Sequence, residues 1–316
     1  MQEIWQHTYS LLPMRDAARA ACVSHVFLSS WGRHPNLTFT KETVCSKENL
    51  RKWKGDSNNE GYRRKYNSTI NHVLANRRGA GVKTFMLAFH GPSNTKSFDR
   101  LNTWLQTAIT PVLEELKLFL FSERLKYNFP CSLLSDASGN TIRHLHLFNC
   151  VLRPTDILSL RCLTELDLHT VRVADKELGC LLSNSYALEN LILKHCEGIT
   201  RLEIPCHLQR FRLLEVFECH RLEAIENKAP NISSFHFTGD EIQLSLGESL
   251  QAKNLMLDRR CVINYAIDKL ASSVPNLETL TLRSSREVRS CISGDKFLYR
   301  SSHIVEYNYS ETSLCR

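Results

Sequence analysis

From residue 82 to residue 282 the apolar positions recur in one short pattern: an apolar residue, a second three places on, and a third two places later, as in Leu163-Leu166-Leu168. The central member falls at Phe85, Leu116, Leu145, Leu166, Leu191, Phe211, Phe235, Leu255 and Leu280. After the first two, longer steps, successive copies follow one another at a nearly constant interval. The last two apolar residues of a copy are two apart, so they share one face of a strand while their neighbours alternate onto the other. An interval of this length leaves room for one strand and one return segment, and such a unit buries its apolar face only against its neighbours. The pattern therefore predicts a solenoid of about nine strands over residues 81–300. In the first return, Phe98, Leu101, Trp104, Leu105 and Ile109 follow a helical period.

The period and the strand motif are those of leucine-rich repeats, an α/β horseshoe. Cys150 and Cys196 stand three places beyond the last leucine of their copies, where such repeats favour Asn or Cys. With the leucines pointing inward, the residues between them form one shared outer face. Its rows include His144, His146 and Phe148; Glu165, Asp167 and His169; Ile192 and Lys194; and, from the copy Leu208-Phe211-Leu213, Arg210, Arg212 and Leu214. Apolar and aromatic groups interleaved with both signs of charge suit protein recognition, and these residues are the expected target-binding face.

Residues 4–31 read as three short helices. Ile4, Trp5 and Tyr9 share one helical stripe, and Leu11-Leu12-Pro13 closes it because proline lacks the N–H a continuing helix needs. Asp16 is the expected N-cap of the run Ala17 to Ala21, and Ser24 that of a third helix carrying Phe27, Leu28 and Trp31, with Gly32 at its stop. About forty residues make a small core, so this module either caps the solenoid or docks its spare apolar face on a partner. The pattern alone leaves both open.

The chain carries 40 Lys and Arg against 33 Asp and Glu, a net charge of +7. Nine of the cations (Lys47, Arg51, Lys52, Lys54, Arg63, Arg64, Lys65, Arg77 and Arg78) fall within residues 46–80, expected as a solvated basic connector over 41–80. Nucleic acid is the less favoured partner for such a run. No stretch has the roughly 18 uncharged apolar residues needed to cross a bilayer, so the chain is expected in the cytoplasm or nucleus without a membrane. None of the 12 cysteines forms a C-x-x-C pair, which argues against structural zinc and suits buried thiols in a reducing compartment. His144 and His146 share a face, with His169 one repeat on, but no thiolate or carboxylate completes a ligand set. Neither a P-loop nor a hydrolase or metalloprotease motif occurs, so no catalytic residue, metal or cofactor is expected.

The run Ile4-Trp5, Ser10 through Ser24 (S-L-L-P-M-R-D-A-A-R-A-A-C-V-S), Phe27-Leu28 and Trp31 resembles the F-box of plant F-box/leucine-rich-repeat proteins. Val82-Lys83-Thr84-Phe85, Arg100 through Leu105 and Asn276 through Leu282 resemble the same family, including its C-terminal associated region. The resemblance implies a trihelical F-box over residues 1–40 ahead of the repeats. It also implies a non-catalytic substrate-recognition subunit of an SCF-type cullin-RING ubiquitin ligase. The F-box would bind a Skp-family adaptor, and through it a cullin, with Ile4, Leu11, Leu12, Pro13 and Val23 as expected contacts. The Leu-Pro pair that usually opens the motif does not precede Glu3, and the apolar period is lost in an irregular tail over 301–316. The chain is thus expected to be shortened at both ends. Two rival readings are a repeat protein without ligase connection, its basic stretch binding nucleic acid, and a degenerate family member.

Overall fold

A computed structural model describes residues 2–46, 48–51, 60–77, 81–90, 94–121, 126–135, 140–155, 158, 160–247, 252–259, 262 and 277–283. The chain divides into two compact units, residues 1–151 with 157–160, and residues 152–156 with 161 onward. The first opens with α1 (Gln2–Ser10), α2 (Met14–Val23) and α3 (His25–Trp31), followed by β1 (Asn36–Phe39), α4 (Lys41–Val44) and α5 (Glu60–Ala75). Next come β2 (Thr84–Phe89), α6 (Thr95–Ala108), β3 (Glu115–Leu120), β4 (Tyr127–Phe129), β5 (His144–Phe148) and β6 (Cys150–Leu152), whose last residue is counted in the second unit. The second unit contains β7 (Glu165–His169), α7 (Asp175–Ser183), β8 (Asn190–Lys194), β9 (Arg201–Ile204), β10 (Leu213–Phe217), β11 (Ala224–Asn227), β12 (Ser234–Thr238), β13 (Gln243–Ser245), β14 (Asn254–Asp258) and β15 (Thr279–Arg283).

Each unit is a run of a parallel-strand leucine-rich-repeat solenoid. In the first the strands pair in the order β1, β2, β3, β5; in the second the order is β7, β8, β10, β12, β14, β15, all parallel. All nine strands predicted from the apolar pattern form, and β1 adds one that the pattern did not flag. The alternation is strict: Leu166 and Leu168 of β7 and Leu191 and Leu193 of β8 are fully buried, in register across the pair, while their neighbours are half-exposed. Each such leucine contributes about 2 kcal/mol by leaving water, and only because the next repeat covers it. Return strands β9, β11 and β13 form a second, three-stranded parallel sheet.

The turn after the strand also repeats. Asn149, Thr170, His195 and Glu218 each stand two places beyond the last inward residue and adopt left-handed φ of 46° to 58°. From that conformation the N–H groups of Thr170, His195 and Glu218 reach the next strand's last carbonyl, at Lys194, Phe217 and Thr238, in bonds of 2.7 to 2.8 Å. The following position holds Cys150, Cys196 and Cys219, all buried free thiols, and the Cys196 Sγ lies 3.2 Å from the Leu168 carbonyl. Desolvation pushes the Cys150 thiol up to about 12, which keeps it protonated and inert.

Three local expectations change. The sixth copy is Phe211-Leu214-Val216, not Leu208-Phe211-Leu213: Leu214 and Val216 are buried and pair with Leu191 and Leu193. Asp16 lies in the first turn of α2 rather than at its cap. Pro13 occupies the cap position, its carbonyl accepting from Ala17 N–H at 2.9 Å. Part of the basic segment expected as a connector folds as the amphipathic α5, whose Tyr66, Ile70 and Leu74 are buried. The Tyr66 hydroxyl sits 2.6 Å from Phe39 O and 2.8 Å from Ala88 O, tying α5 to the ends of β1 and β2. Lys47, Lys52, Lys54 and Arg78 of that segment, and the tail over 301–316, lie outside the described residues.

Candidate protein-interaction surfaces

The N-terminal module has a small interior. Tyr9, Met14, Ala17 and Ala21 are buried, Tyr9 donates its hydroxyl to Ala17 O at 2.7 Å, and its ring stacks on Phe27 at 5.2 Å. Alanine at 17 and 21 lets the helices approach closely. His34, also buried, fastens the module to β1: its Nε2 lies 3.1 Å from Leu12 O, and its Nδ1 lies 3.0 Å from Asn36 O and 3.3 Å from Asn36 N. Burial is the main cause that lowers the His34 pKa and holds the ring neutral. The Arg77 guanidinium donates to the carbonyls of His34 and Gly81, so one cation of the basic segment is a structural clamp.

What this module leaves outside is apolar. Of the sequence-derived adaptor contacts, Ile4, Leu11 and Val23 are 68%, 69% and 85% exposed, Pro13 is exposed, and Leu12 is half-buried. Val26 and Leu28, which the pattern did not single out as contacts, are also more than half exposed. Among the described residues, five of the eight exposed large hydrophobic side chains belong to this one short module.

The strand face of the first unit is aromatic. His144, His146 and Phe148 lie outward on β5, as their alternation requires, alongside Glu115, Lys117 and Phe119 of β3. The Phe119 ring lies 4.8 Å from His146 and 6.4 Å from Phe148, and Phe121 lies 5.6 Å from Phe148 and stacks on His90 at 4.8 Å. His90 and Phe121 extend the strip, and a signal for them existed, since each continues its strand's alternation. Burial lowers the His90 pKa to about 4, with Lys41 adding to the shift, so this ring is neutral at cellular pH.

On the second unit, Glu165, Asp167 and His169 of β7 stand beside Asn190, Ile192 and Lys194 of β8. The next row is Leu213, Glu215 and Phe217, and Lys194 pairs with Glu215 at 2.9 Å. Arg210 and Arg212, expected on this face, precede β10 and are absent from it, and Leu214 points inward; the corrected register moves all three. Across β7 to β15 the face carries Glu165, Asp167, Glu215 and Asp258 against Lys194 and Arg283, so it is net acidic rather than balanced. Burial, with Glu218 adding, raises the Asp258 pKa, while Arg283 opposes the shift. His169 stacks on His195 at 5.4 Å. Among the described residues no three His, Cys, Asp or Glu side chains gather as a metal site.

Comparison with known proteins agrees with this geometry. The family model of the At1g61320/AtMIF1 leucine-rich-repeat domain matches residues 73–308, about three quarters of the chain. F-box/LRR-repeat protein 25 of Arabidopsis thaliana is 24% identical over 236 residues, covering 73% of this chain and 80% of the relative. F-box protein At5g03100 of the same plant is 21% identical over 298 residues, covering 94% and 87%. At3g18150, also from Arabidopsis thaliana and named for an F-box and leucine-rich repeats, is 23% identical over 295 residues; the match takes in 88% of this chain but 58% of the relative's length. With its period, parallel ladder and left-handed turns in place, the chain belongs to the At1g61320/AtMIF1 leucine-rich-repeat family.

Proposed function

We propose that this chain is the substrate-recognition subunit of an SCF-type cullin-RING ubiquitin ligase, working in the cytoplasm or nucleus. Its first three helices bind a Skp-family adaptor, and through it a cullin, and its strand faces capture the protein to be ubiquitinated. The observation that carries this reading is the apolar surface of α1 to α3, with Ile4, Leu11, Val23, Val26 and Leu28 outside a core too small to hold them. So much apolar surface on so few residues favours burial against a partner. The F-box in the relatives' names supplies the partner's class.

The receptor contributes proximity. Holding a target lysine near a charged conjugating enzyme raises its effective concentration, and this needs no acid, base or nucleophile of the receptor's own. On the first unit Phe119 and Phe148 supply aromatic anchors of the kind that dominate interface energies. On the second, the acidic face favours a basic segment of the target.

Affinity purification of the tagged chain under proteasome inhibition, read by mass spectrometry, tests the proposal. The adaptor and a cullin are expected in the complex with a reproducible set of targets. Changing Phe119 and Phe148 together to Ala is expected to deplete those targets at least tenfold, at about 1 kcal/mol or more per ring, and to leave the adaptor bound. Salt-sensitive nucleic acid in place of any adaptor would instead mark a repeat protein without ligase connection.

A further inference from the structure

Just before each strand of the second unit, one residue per repeat joins a continuous backbone ladder. Arg212 N–H donates to Glu189 O at 2.8 Å, Ser233 N–H to Arg212 O at 2.9 Å, Lys253 N–H to Ser233 O at 2.9 Å and Glu278 N–H to Lys253 O at 2.8 Å. Adjacent strands lie about 4.8 Å apart, so the row sets Glu189, Arg212, Ser233, Lys253 and Glu278 side by side. The short Ser233 between two long cations leaves a dip. There a cavity of about 250 Å³ opens, lined by Gln209, Arg212, Asn231, Ser233 and Lys253.

Its walls are held by their own hydrogen bonds. Asn231 Nδ2 donates to Gln209 O at 2.8 Å, Gln209 Nε2 to Cys206 O at 3.0 Å and Ser233 Oγ to Arg212 O at 3.1 Å. The charges are not equally satisfied. At the same row of the first unit Lys83 pairs with Glu114 at 3.5 Å, and here Lys253 pairs with Glu278 at 2.7 Å. Arg212 has Glu189 beside it in the ladder, yet its guanidinium makes no ion pair or hydrogen bond among the described residues. It lines the cavity instead, and no carboxylate does. One wall thus offers the planar fork of five guanidinium donors, and the other offers the ammonium protons that Glu278 leaves unused.

A cavity lined by two cations and without a carboxylate takes an anion. A fork on one wall and an ammonium on the other suit an anion with oxygens on several sides better than a flat carboxylate. We infer that this cavity binds a phosphate monoester, either as a free small phosphate compound or as a phosphorylated side chain of a captured protein. This holds independently of the ligase assignment, because it rests on the cavity's own donors.

Calorimetric titration of the full chain at constant ionic strength tests it, with blocked phosphoserine, its unphosphorylated form, inorganic phosphate and acetate as probes. Saturable binding is expected for both phosphates and for neither of the others. Arg212→Gln and Lys253→Gln are each expected to weaken it about tenfold, the loss of one charge-assisted contact. Arg210→Gln, an exposed cation outside the cavity, is the control and is expected to change nothing. Arg212→Lys should restore part of the loss by returning the charge without the fork. Equal affinity for inorganic phosphate and blocked phosphoserine assigns a free ligand, and tighter phosphoserine binding assigns a protein-borne one. Failure of the wild-type chain to bind either phosphate, equal binding of acetate, or an equal loss in Arg210→Gln overturns the proposal.

Discussion

Leu214→Asp is expected to unfold the second unit, whereas Leu213→Asp, one residue earlier, is expected to leave it folded. Leu214 is fully buried and sits in register between Leu191 and Phe235. Asp there forfeits the leucine's packing and buries a carboxylate between Leu191 and Phe235, at a combined cost of about 4 kcal/mol or more. That rivals the roughly 5 to 15 kcal/mol that stabilises a typical domain. Leu213 faces outward beside Asn190 and Ser234, half-exposed, where a polar replacement costs about 1 kcal/mol or less. Urea unfolding followed by circular dichroism separates the two. The opposite ranking would mean that β10 pairs through Leu208, Phe211 and Leu213 after all.

Ile70→Asp is expected to do comparable damage to the first unit, though it falls in the most basic part of the chain. Ile70 is fully buried on α5 with Tyr66 and Leu74, and the Tyr66 hydroxyl is bound to the ends of two strands. Burying a charge among these groups costs about 3 kcal/mol or more. Reversing Arg64 and Lys65 to Glu on the exposed face of the same helix is expected to change stability by about 0.5 kcal/mol or less per site. Limited proteolysis and melting temperature read both effects. A folded, protease-resistant Ile70→Asp protein would show that α5 is not part of this unit's core.

The strands were legible because alternation with period two is a local signal, and Leu166 and Leu168 or Phe235 and Phe237 carry it whatever surrounds them. The sixth copy was ambiguous because Leu208, Phe211, Leu213, Leu214 and Val216 satisfy the motif in two registers. Only the spacing to neighbouring copies favours the second: a centre at Leu214 falls closer to midway between Leu191 and Phe235 than one at Phe211 does. That one choice decides whether Arg212 belongs to the strand face or to the cavity. In α5 the apolar spacing of Tyr66, Ile70 and Leu74 was present but obscured by the flanking charge. The roles of His34 and Arg77 were beyond reach of the sequence, because Leu12 meets His34, and the His34 carbonyl meets Arg77, only through the fold. Exposure of Val26 and Leu28 likewise follows from which face of α3 meets Tyr9.

On the proposed reading the exposed apolar groups of the first three helices are the surface that docks on the adaptor. Binding of a purified Skp-family adaptor to the full chain, compared with Leu11→Asp and Val23→Asp, distinguishes this from an idle surface. Both side chains stand outside the module's core, so the variants should melt as the wild type does. The wild-type chain is expected to form a stable complex in which hydrogen exchange slows over residues 4–28. Each variant should weaken that complex by about 30-fold or more, the loss of one anchor of about 2 kcal/mol. A folded double variant that binds the adaptor with wild-type affinity would contradict the assignment.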